Sequence, residues 1–208
     1  MNQAEKSQRS RELILESALQ LFSSKGYGAT SVRDIAGAAG VSTGNVYHHF
    51  SDKETIFRTL LDQYWSAIDD PSLPFNRSLA SGRFPDNLEE MGRTSRELVE
   101  EYRRYVALIY VDVVEFEGSH IRKFYSEMSR RFETFMEHSG TAKEIGTRLR
   151  PEISPVSAVM LASRFFINFF AVEILFGVPN HFGKDTESVI HEIADILRHG
   201  MLNPPTPT

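Results

Sequence analysis

The sequence predicts an all-α protein with an N-terminal three-helix helix-turn-helix domain and a larger C-terminal helical domain. Three observations lead to this prediction. Apolar residues recur at spacings of three and four over most of the 208 residues. Residues that can cap a first turn, namely Ser and Asp, stand before several of these runs. The chain shows neither an alternating strand pattern nor an internal repeat. The predicted domains are residues 1–55 and 56–208.

The first helix is predicted from about Ser7 or Ser10 to Lys25, with Gly26 just past its end. One face of this helix carries the apolar residues Leu13, Ile14, Ala18, Leu21 and Phe22. Because these side chains share one side, we expect the helix to support the elements that follow it.

Residues 31–53 predict two short helices joined by a tight turn, with a third helix starting directly afterwards. Three caps mark the helix starts: Ser31 with Asp34, Ser42, and Ser51 with Glu54. Gly40 supplies the permissive backbone that a sharp exit from the first short helix needs. Val46 and Phe50 lie four residues apart, so we expect them to pack the second short helix onto its neighbours.

The second short helix is expected to turn a polar face outward, formed by Thr43, Gly44, Asn45, Tyr47 and His48. This face holds no acid, which suits it to a groove lined by phosphates. Asparagine can bond an adenine edge, a threonine methyl can touch a thymine methyl, and hydroxyls can reach phosphate. Lys53 opposes the dipole of the next helix, so we interpret it as a phosphate clamp. The pattern favours DNA binding, and the alternative is a helical corner that only packs in a core.

The same region resembles the tetracycline-repressor-like (TetR) transcriptional regulators. The likeness runs over Leu13 to Phe22, Gly26, Tyr27, Thr30, Ile35, Ala36, Ala39 to Ser42, Gly44, Tyr47, His49, Phe50, Lys53 and Phe57. It covers about the first quarter of the chain closely, and the remainder only in length and in its succession of helices.

The resemblance implies a repressor that binds a palindromic operator in double-stranded DNA as a homodimer and is released by a small-molecule effector. The residues expected to contact DNA are Ser31, Arg33, Ser42, Thr43, Gly44, Asn45, Tyr47, His48, His49 and Lys53. Two recognition helices about 34 Å apart would read half-sites one DNA turn apart. No cofactor and no metal is expected, and activation in place of repression stays open.

Composition and charge narrow the class of protein. The absence of cysteine removes Cys-based zinc sites and thiol catalysis. Residues 1–11 are polar, so we expect no secretory signal and a cytoplasmic location. The net charge is −5, but residues 1–58 hold seven Lys or Arg against six Asp or Glu, and the rest hold sixteen against twenty-two. The N-terminal part is therefore the less acidic one, as phosphate attraction requires.

The body is predicted to be helical throughout, after a loop at residues 71–85 that is rich in Pro, Ser and Gly. The helix before this loop is expected from Asp52 through Ile68. The later helices are expected to begin near Asp86, Tyr102, Ile121, Ser154 and Asp185.

The helix from Ser154 to Phe176 is apolar nearly all round. Its length approaches that of a bilayer span, but Arg164, Asn168 and Glu173 would be costly in lipid, so we expect no membrane partner. A helix that is apolar on every side of a soluble chain must be covered on every side. We therefore expect this helix and the last one to form a four-helix bundle with a second subunit across a two-fold axis.

Aromatic and Met side chains, with a few polar groups among them, predict a pocket in the body for a small apolar or aromatic effector. The residues expected to line it are Tyr105, Tyr110, Asp112, Glu115, Phe124, Tyr125, Met128, Phe132, Arg164, Phe165, Asn168 and Phe169. For each of them the alternative is core packing, or an ion pair between Arg164 and Asp112 or Glu115.

Other chemistry has little support. His191, Asp195 and His199 are spaced four and four, but a polar edge is the favoured interpretation over a metal site. No nucleophile elbow, Gly-rich phosphate loop or acid pair stands out, so we expect no enzyme. Two other functions stay open: a helical small-molecule-binding protein without sequence-specific DNA binding, and a non-specific nucleoid protein.

Overall fold

A computed structural model describes residues 2–201, without the side chains of Ser139 and Met201, and every regular element in that range is an α-helix. The helices are α1 (Gln3–Lys25), α2 (Val32–Ala39), α3 (Thr43–His49), α4 (Lys53–Ile68), α5 (Pro74–Ala80), α6 (Leu88–Glu101), α7 (Arg103–Phe116), α8 (Arg122–Ser126), α9 (Met128–Ser139), α10 (Ala142–Arg148), α11 (Pro155–Leu175) and α12 (Thr186–Met201). The all-α prediction is confirmed.

The chain forms two compact units. Unit 1 comprises Met1–Ile68 and Arg104–Phe124, and unit 2 comprises Asp69–Arg103 and Tyr125–Thr208. Unit 1 thus contains α1 to α4 and nearly all of α7. The predicted boundary after residue 55 falls inside α4, and as a division of function it stays a prediction.

Unit 1 has one apolar core, to which its helices all contribute. The core side chains are Ile14, Leu15, Ala18, Leu19, Phe22, Ile35, Ala36, Ala39, Val46, Phe50, Ile56, Phe57, Leu60, Leu61, Leu108 and Ile121. The predicted apolar face of α1 is confirmed at Ile14, Ala18 and Phe22, whereas Leu13 is exposed. Burial of this set is the main force that holds the short helices α2 and α3, because isolated helices of seven or eight residues are unstable in water.

Helix starts in unit 1 follow local capping. The Ser31 hydroxyl accepts from the Asp34 N–H, and the Asp34 carboxylate accepts from the Ser31 N–H, so the predicted capping box is confirmed. Helix α1 begins earlier than predicted because Asn2 forms a second capping box with Glu5.

The predicted cap of α4 is wrong in one residue. Asp52, and not Ser51, accepts the first-turn N–H, with 2.6 Å between Asp52 Oδ1 and the Thr55 nitrogen. The Ser51 hydroxyl instead lies 3.0 Å from Asp52 Oδ2 and 2.9 Å from the Thr55 hydroxyl. Glu54 therefore does not complete a capping box, and its carboxylate meets the His120 ring at 3.2 Å.

Unit 2 is built around α6, α11 and α12. Gly92 lets α6 pack closely against α11 and α12. A Cβ placed at this position would lie 2.8 Å from Ile190 Cγ2 and 3.0 Å from Phe166 Cε1. One guanidinium nitrogen of Arg198 donates to both carboxylate oxygens of Glu89, at 2.9 and 2.8 Å, and this ion pair fastens α12 to α6.

Several element predictions for the body need correction. The predicted loop at residues 71–85 contains α5, which begins at Pro74 in the first-turn position that proline tolerates. The single helix predicted from Ile121 is two helices, α8 and α9, and α10 was not predicted. The start of α11 is as predicted, because the Ser154 hydroxyl accepts from the Ser157 N–H at 3.1 Å.

Helix α11 is long and apolar enough to cross a membrane, and it alone passes that test within the described part of the chain. Half of its most apolar window is buried inside the protein. Such burial is typical of the core helix of a soluble protein.

Candidate nucleic-acid interface

The helix α3 is held from one side and open on the other. Val46 and Phe50 are buried in the core of unit 1, while Thr43, Gly44, Tyr47 and His48 are exposed, Tyr47 to 55%. The Ser42 hydroxyl caps the helix by accepting from the N–H of residue 45 at 3.1 Å. The open face carries hydroxyl, imidazole and backbone N–H groups and no acid, so it can approach phosphate and base edges.

The turn before α3 depends on Gly40. Its φ of 66° lies in the left-handed region, where a side chain would be strained. The Val41 N–H then donates to the Ala36 carbonyl at 3.0 Å, which closes the end of α2. This closure fixes the direction in which the chain enters α3.

Asn45 departs from the predicted outward set, and His49, four residues further on, shares its side of α3. Both are half-buried on one side of α3, and neither Asn45 Oδ1 nor His49 Nε2 has a hydrogen-bond partner among the described residues. The expectation that Asn45 faces mostly outward is therefore wrong, because a seven-residue helix held by Val46 and Phe50 turns residue 45 sideways. Burial, with the charges of His48 and Arg11, lowers the pKa of His49.

The predicted phosphate clamp is already engaged in the free protein. Lys53 Nζ donates to the carbonyls of Tyr27 and Thr30, both at 2.8 Å, and lies 3.9 Å from the centroid of the Tyr27 ring. Lysine has three donors, so one N–H is left for another acceptor. Lys53 thus fastens the turn between α1 and α2 to the start of α4, and its phosphate contact stays a prediction.

The remaining predicted contacts lie at the start of α2. The Ser31 hydroxyl lies 2.6 Å from Asp34 Oδ2, so it serves the cap of α2. Arg33 is exposed in the first turn. Arg11 was absent from the predicted contacts, although its guanidinium carbon lies 5.3 Å from the centroid of the Phe50 ring, at the end of α3. Arg11 is one of the seven basic residues of residues 1–58, and that charge was the sequence signal for it.

In unit 1, the residues predicted to line an effector pocket have partners within the unit. Asp112 is fully buried and meets His120 at 2.6 Å. The Glu115 carboxylate lies over the backbone of Gly26 and Gly28. Two of the aromatic residues stack on α4, Tyr105 on Tyr64 with centroids 5.7 Å apart and Phe124 on Trp65 with centroids 3.8 Å apart. Tyr110 is exposed.

In unit 2, the structure brings three of the predicted pocket residues together. The Arg164 guanidinium lies 5.4 Å from the Tyr125 ring centroid and 3.8 Å from Met128 Sδ. The Asp112 carboxylate, one of the two partners expected for Arg164 in the ion-pair alternative, is engaged inside unit 1. The other four residues divide by exposure, with Phe165 and Asn168 exposed, Phe132 half-buried and Phe169 buried.

The histidines of α12 do not converge. His199 Nδ1 lies 3.2 Å from Asp195 Oδ1, whereas His191 Nδ1 lies 3.7 Å from Glu89 Oε1. Among residues 2–201, no group of three or more His, Cys, Asp or Glu is arranged to hold a metal ion.

A capped helix turned outward on a three-helix support defines a helix-turn-helix protein. Residues 14–60 match the family model of the bacterial regulatory proteins of the tetR family. The transcriptional repressor KstR2 of Rhodococcus jostii is 34% identical over 123 residues, which is 59% of each chain. The chain spans about six tenths of the length of this relative, and the match to the family model lies within unit 1.

Solved structures share the fold over nearly the whole chain. A TetR family transcription regulator from Marinobacter aquaeolei is 18% identical with a TM-score of 0.65, covering 98% of this chain and all of the other. The ketosteroid transcriptional regulator KstR2 of Mycobacterium tuberculosis is 22% identical with a TM-score of 0.51, covering 93% of this chain and 95% of the other. At these identities the likeness concerns the fold alone.

Proposed function

We propose that the protein is a cytoplasmic transcriptional repressor that binds a palindromic operator as a homodimer and is released by a small apolar or aromatic effector. The observation that carries the proposal is the open face of α3, where Thr43, Gly44, Tyr47 and His48 are exposed beside buried Val46. A face without acid, on a helix fixed at both ends, can enter the major groove without electrostatic repulsion.

Basic groups around α3 support the proposal. Arg11 lies at the end of α3, Arg33 lies in the first turn of α2, and Lys53 opens α4. Phosphate contacts from such residues set affinity and register, while the α3 side chains select bases. The KstR2 relatives are repressors by name, which supports repression over activation.

The dimer is supported by the apolar surface of α11 and α12. Leu161 is 57% exposed and Ile196 is 65% exposed, and Phe165 is also open to solvent. Exposed apolar residues on two helices favour contact with another protein surface. A second copy is the occupant we propose, because a two-fold dimer presents two recognition helices to a palindrome.

The effector is proposed to bind within unit 2. The Ser95 hydroxyl is fully buried on α6 and has no hydrogen-bond partner among the described residues. The Asn87 Oδ1 atom is also buried and also lacks a partner among them. Buried polar atoms without partners are costly, so a ligand that bonds to one of them would gain affinity. Such a ligand lowers operator affinity only by the difference in its affinity for the free and the DNA-bound states.

The experiment is selection of bound duplexes from a random DNA pool by the full chain at fixed, stated salt. We expect an inverted repeat, and we expect Tyr47→Ala to lose its enrichment. Tyr110→Ala is the matched control, because Tyr110 is also an exposed tyrosine of unit 1 but lies on α7. Equal recovery of all duplexes would indicate a nucleoid protein, and recovery of none would leave a small-molecule-binding protein.

A further inference from the structure

An imidazole ring in unit 1 lies between two carboxylates. His120 Nδ1 is 2.6 Å from Asp112 Oδ1, and His120 Nε2 is 3.2 Å from Glu54 Oε1. Asp112 is fully buried on α7, and its second oxygen accepts from the Ile121 N–H at 3.2 Å. The three residues are 66 positions apart at their widest, and the proposed DNA contacts use none of them.

The hydrogen-bond geometry needs two donors on the ring. An ionised carboxylate only accepts hydrogen bonds, and a neutral imidazole has one N–H and one lone pair. With a carboxylate at each nitrogen, the neutral ring would place a lone pair against an oxygen at 2.6 or 3.2 Å. The doubly protonated ring satisfies both contacts, and it also compensates the charge of Asp112, which is cut off from water.

The surroundings keep the ring in place. Phe57 of α4 and Phe116 of α7 contact it edge to face, with centroids 5.7 and 4.6 Å away. The side chain of His120 is only 11% exposed, whereas that of Glu54 is 55% exposed. Loss of the ring proton would therefore weaken the Glu54 contact first, because Glu54 can turn to water.

The other polar and charged groups of this corner are engaged away from the two ring nitrogens or contact them weakly. The Ser119 hydroxyl lies 3.5 Å from His120 Nδ1. Lys53 binds the Tyr27 and Thr30 carbonyls, and the Glu115 carboxylate lies over Gly26 and Gly28. Arg122 of α8 donates to the Glu117 carbonyl. The contacts to Asp112 and Glu54 are therefore the two short charged contacts of the ring.

Glu54 connects this ring to the helix-turn-helix. It stands in the first turn of α4, next to Lys53, which holds the turn between α1 and α2. We infer that His120 is a positioning residue for DNA binding: its protonated ring ties Asp112 of α7 to the first turn of α4 and orders the unit that carries α3. The inference rests on the proposed function for its effect on DNA.

The first experiment needs no DNA. Long-range proton–nitrogen NMR spectra of the full chain resolve the ring nitrogens of each histidine, and His120→Gln assigns the signals of residue 120. We expect both nitrogens of His120 to carry protons, as the two carboxylate contacts require, and Glu54→Gln to move the Nε2 signal. Signals of a neutral ring in the folded chain would overturn the inference whether or not the protein binds an operator.

The second experiment measures operator affinity by fluorescence anisotropy between pH 6 and pH 8 at constant ionic strength. Because the bridge is present when the ring is protonated, it weakens as pH rises, so the wild-type Kd should rise. The ratio of Kd at pH 8 to Kd at pH 6 should be roughly fivefold smaller in His120→Gln and in Glu54→Gln. His138→Gln in α9 is the control and should keep the wild-type ratio, since the His138 ring bonds the Thr134 carbonyl of its own helix in unit 2.

The outcomes separate the two proposals. If both variants keep the wild-type ratio, His120 does not position the DNA-binding unit, even if the operator is confirmed. If the wild-type chain selects no operator, the proposed function fails, while the NMR spectra still decide whether the bridge exists. Glu54→Gln protects the test against misfolding, because Glu54 is exposed and its amide keeps an acceptor oxygen.

Discussion

The guanidinium carbon of Arg11 lies 5.3 Å from the centroid of the Phe50 ring. Phe50 is the C-terminal cap of α3 and is buried in the core of unit 1. The contact therefore places a positive charge of α1 at the end of the helix that we propose enters the DNA groove. Stacking on an aromatic ring also restricts the guanidinium, so that less of its freedom is lost when it meets phosphate.

Arg11→Ala should weaken operator binding by roughly tenfold and reduce the slope of log Kd against log salt by about one phosphate contact. Fluorescence anisotropy over a salt series measures both quantities. Arg130→Ala is the control, because Arg130 is a well-exposed arginine in unit 2. An unchanged salt slope in Arg11→Ala would show that Arg11 only packs on Phe50.

Asp52→Ala should lower the melting temperature by about 2–4 °C, whereas Ser51→Ala should have less effect. The reason is that Asp52, and not Ser51, accepts the first-turn N–H of α4. That same hydrogen bond from Thr55 lowers the pKa of Asp52. The stabilisation is thus present above the ordinary pKa of aspartate and is lost as pH falls through the lowered value.

Thermal unfolding of the two variants at pH 7 and at pH 3 checks this prediction. The difference between wild type and Asp52→Ala should shrink at the lower pH, since the protonated carboxyl is a poorer acceptor. If Ser51→Ala lowered the melting temperature more than Asp52→Ala, the result would support the capping box that the sequence predicts and contradict the cap at Asp52.

Gly92→Ala should destabilise the fold by about 1–3 kcal/mol. A Cβ at this position would meet Ile190 Cγ2 at 2.8 Å and Phe166 Cε1 at 3.0 Å, and both of those side chains are buried. Urea unfolding measures the change. Gly200→Ala in α12 is the matched control, because a Cβ at that glycine meets nothing within 4 Å. Equal midpoints for the two variants would contradict the close packing of α6 on α11 and α12.

His49 should make the folded state less stable as the solution is acidified. Burial lowers the pKa of His49 below its ordinary 6.5, so between these two values the unfolded chain binds more protons than the folded one. Stability therefore falls as pH drops through about 6.5 and levels off below the lowered pKa. Urea midpoints at pH 7.5 and 5.5 should differ less for His49→Gln than for wild type. An identical pH dependence in both proteins would show that residue 49 is not the group responsible.

The sequence predicts those features of the fold that depend on neighbours in the chain. Ser31 with Asp34, and Ser42, are caps with their partners three residues away, so spacing identifies them. The start of α4 was misread because Ser51 and Asp52 can each cap it, and Glu54 takes a partner 66 residues away. No local pattern announces such a contact.

The site shows the same limit. Tyr47 and His48 were correctly expected to be exposed, because buried Val46 fixes one side of α3. Asn45 lies near the border between faces, where a step of 100° per residue leaves its side undetermined until tertiary packing is known. Asp112 was grouped with pocket residues on its polarity, whereas its partner, His120, comes from the segment that follows α7.

Ile196→Glu and Leu161→Glu should each shift the protein from dimer to monomer at micromolar concentration. Both side chains are exposed apolar residues on the helices that we propose form the two-fold interface, and a buried unpaired carboxylate there would be costly. Sedimentation velocity measures the oligomeric state. Val114→Glu is the matched control, since Val114 is 80% exposed but lies on α7 of unit 1. If only Val114→Glu dissociated the dimer, the interface would lie on α7 and not on α11 and α12. If the wild-type protein were a monomer, the proposed dimer would be wrong, and independent chains would bind the two half-sites of the operator.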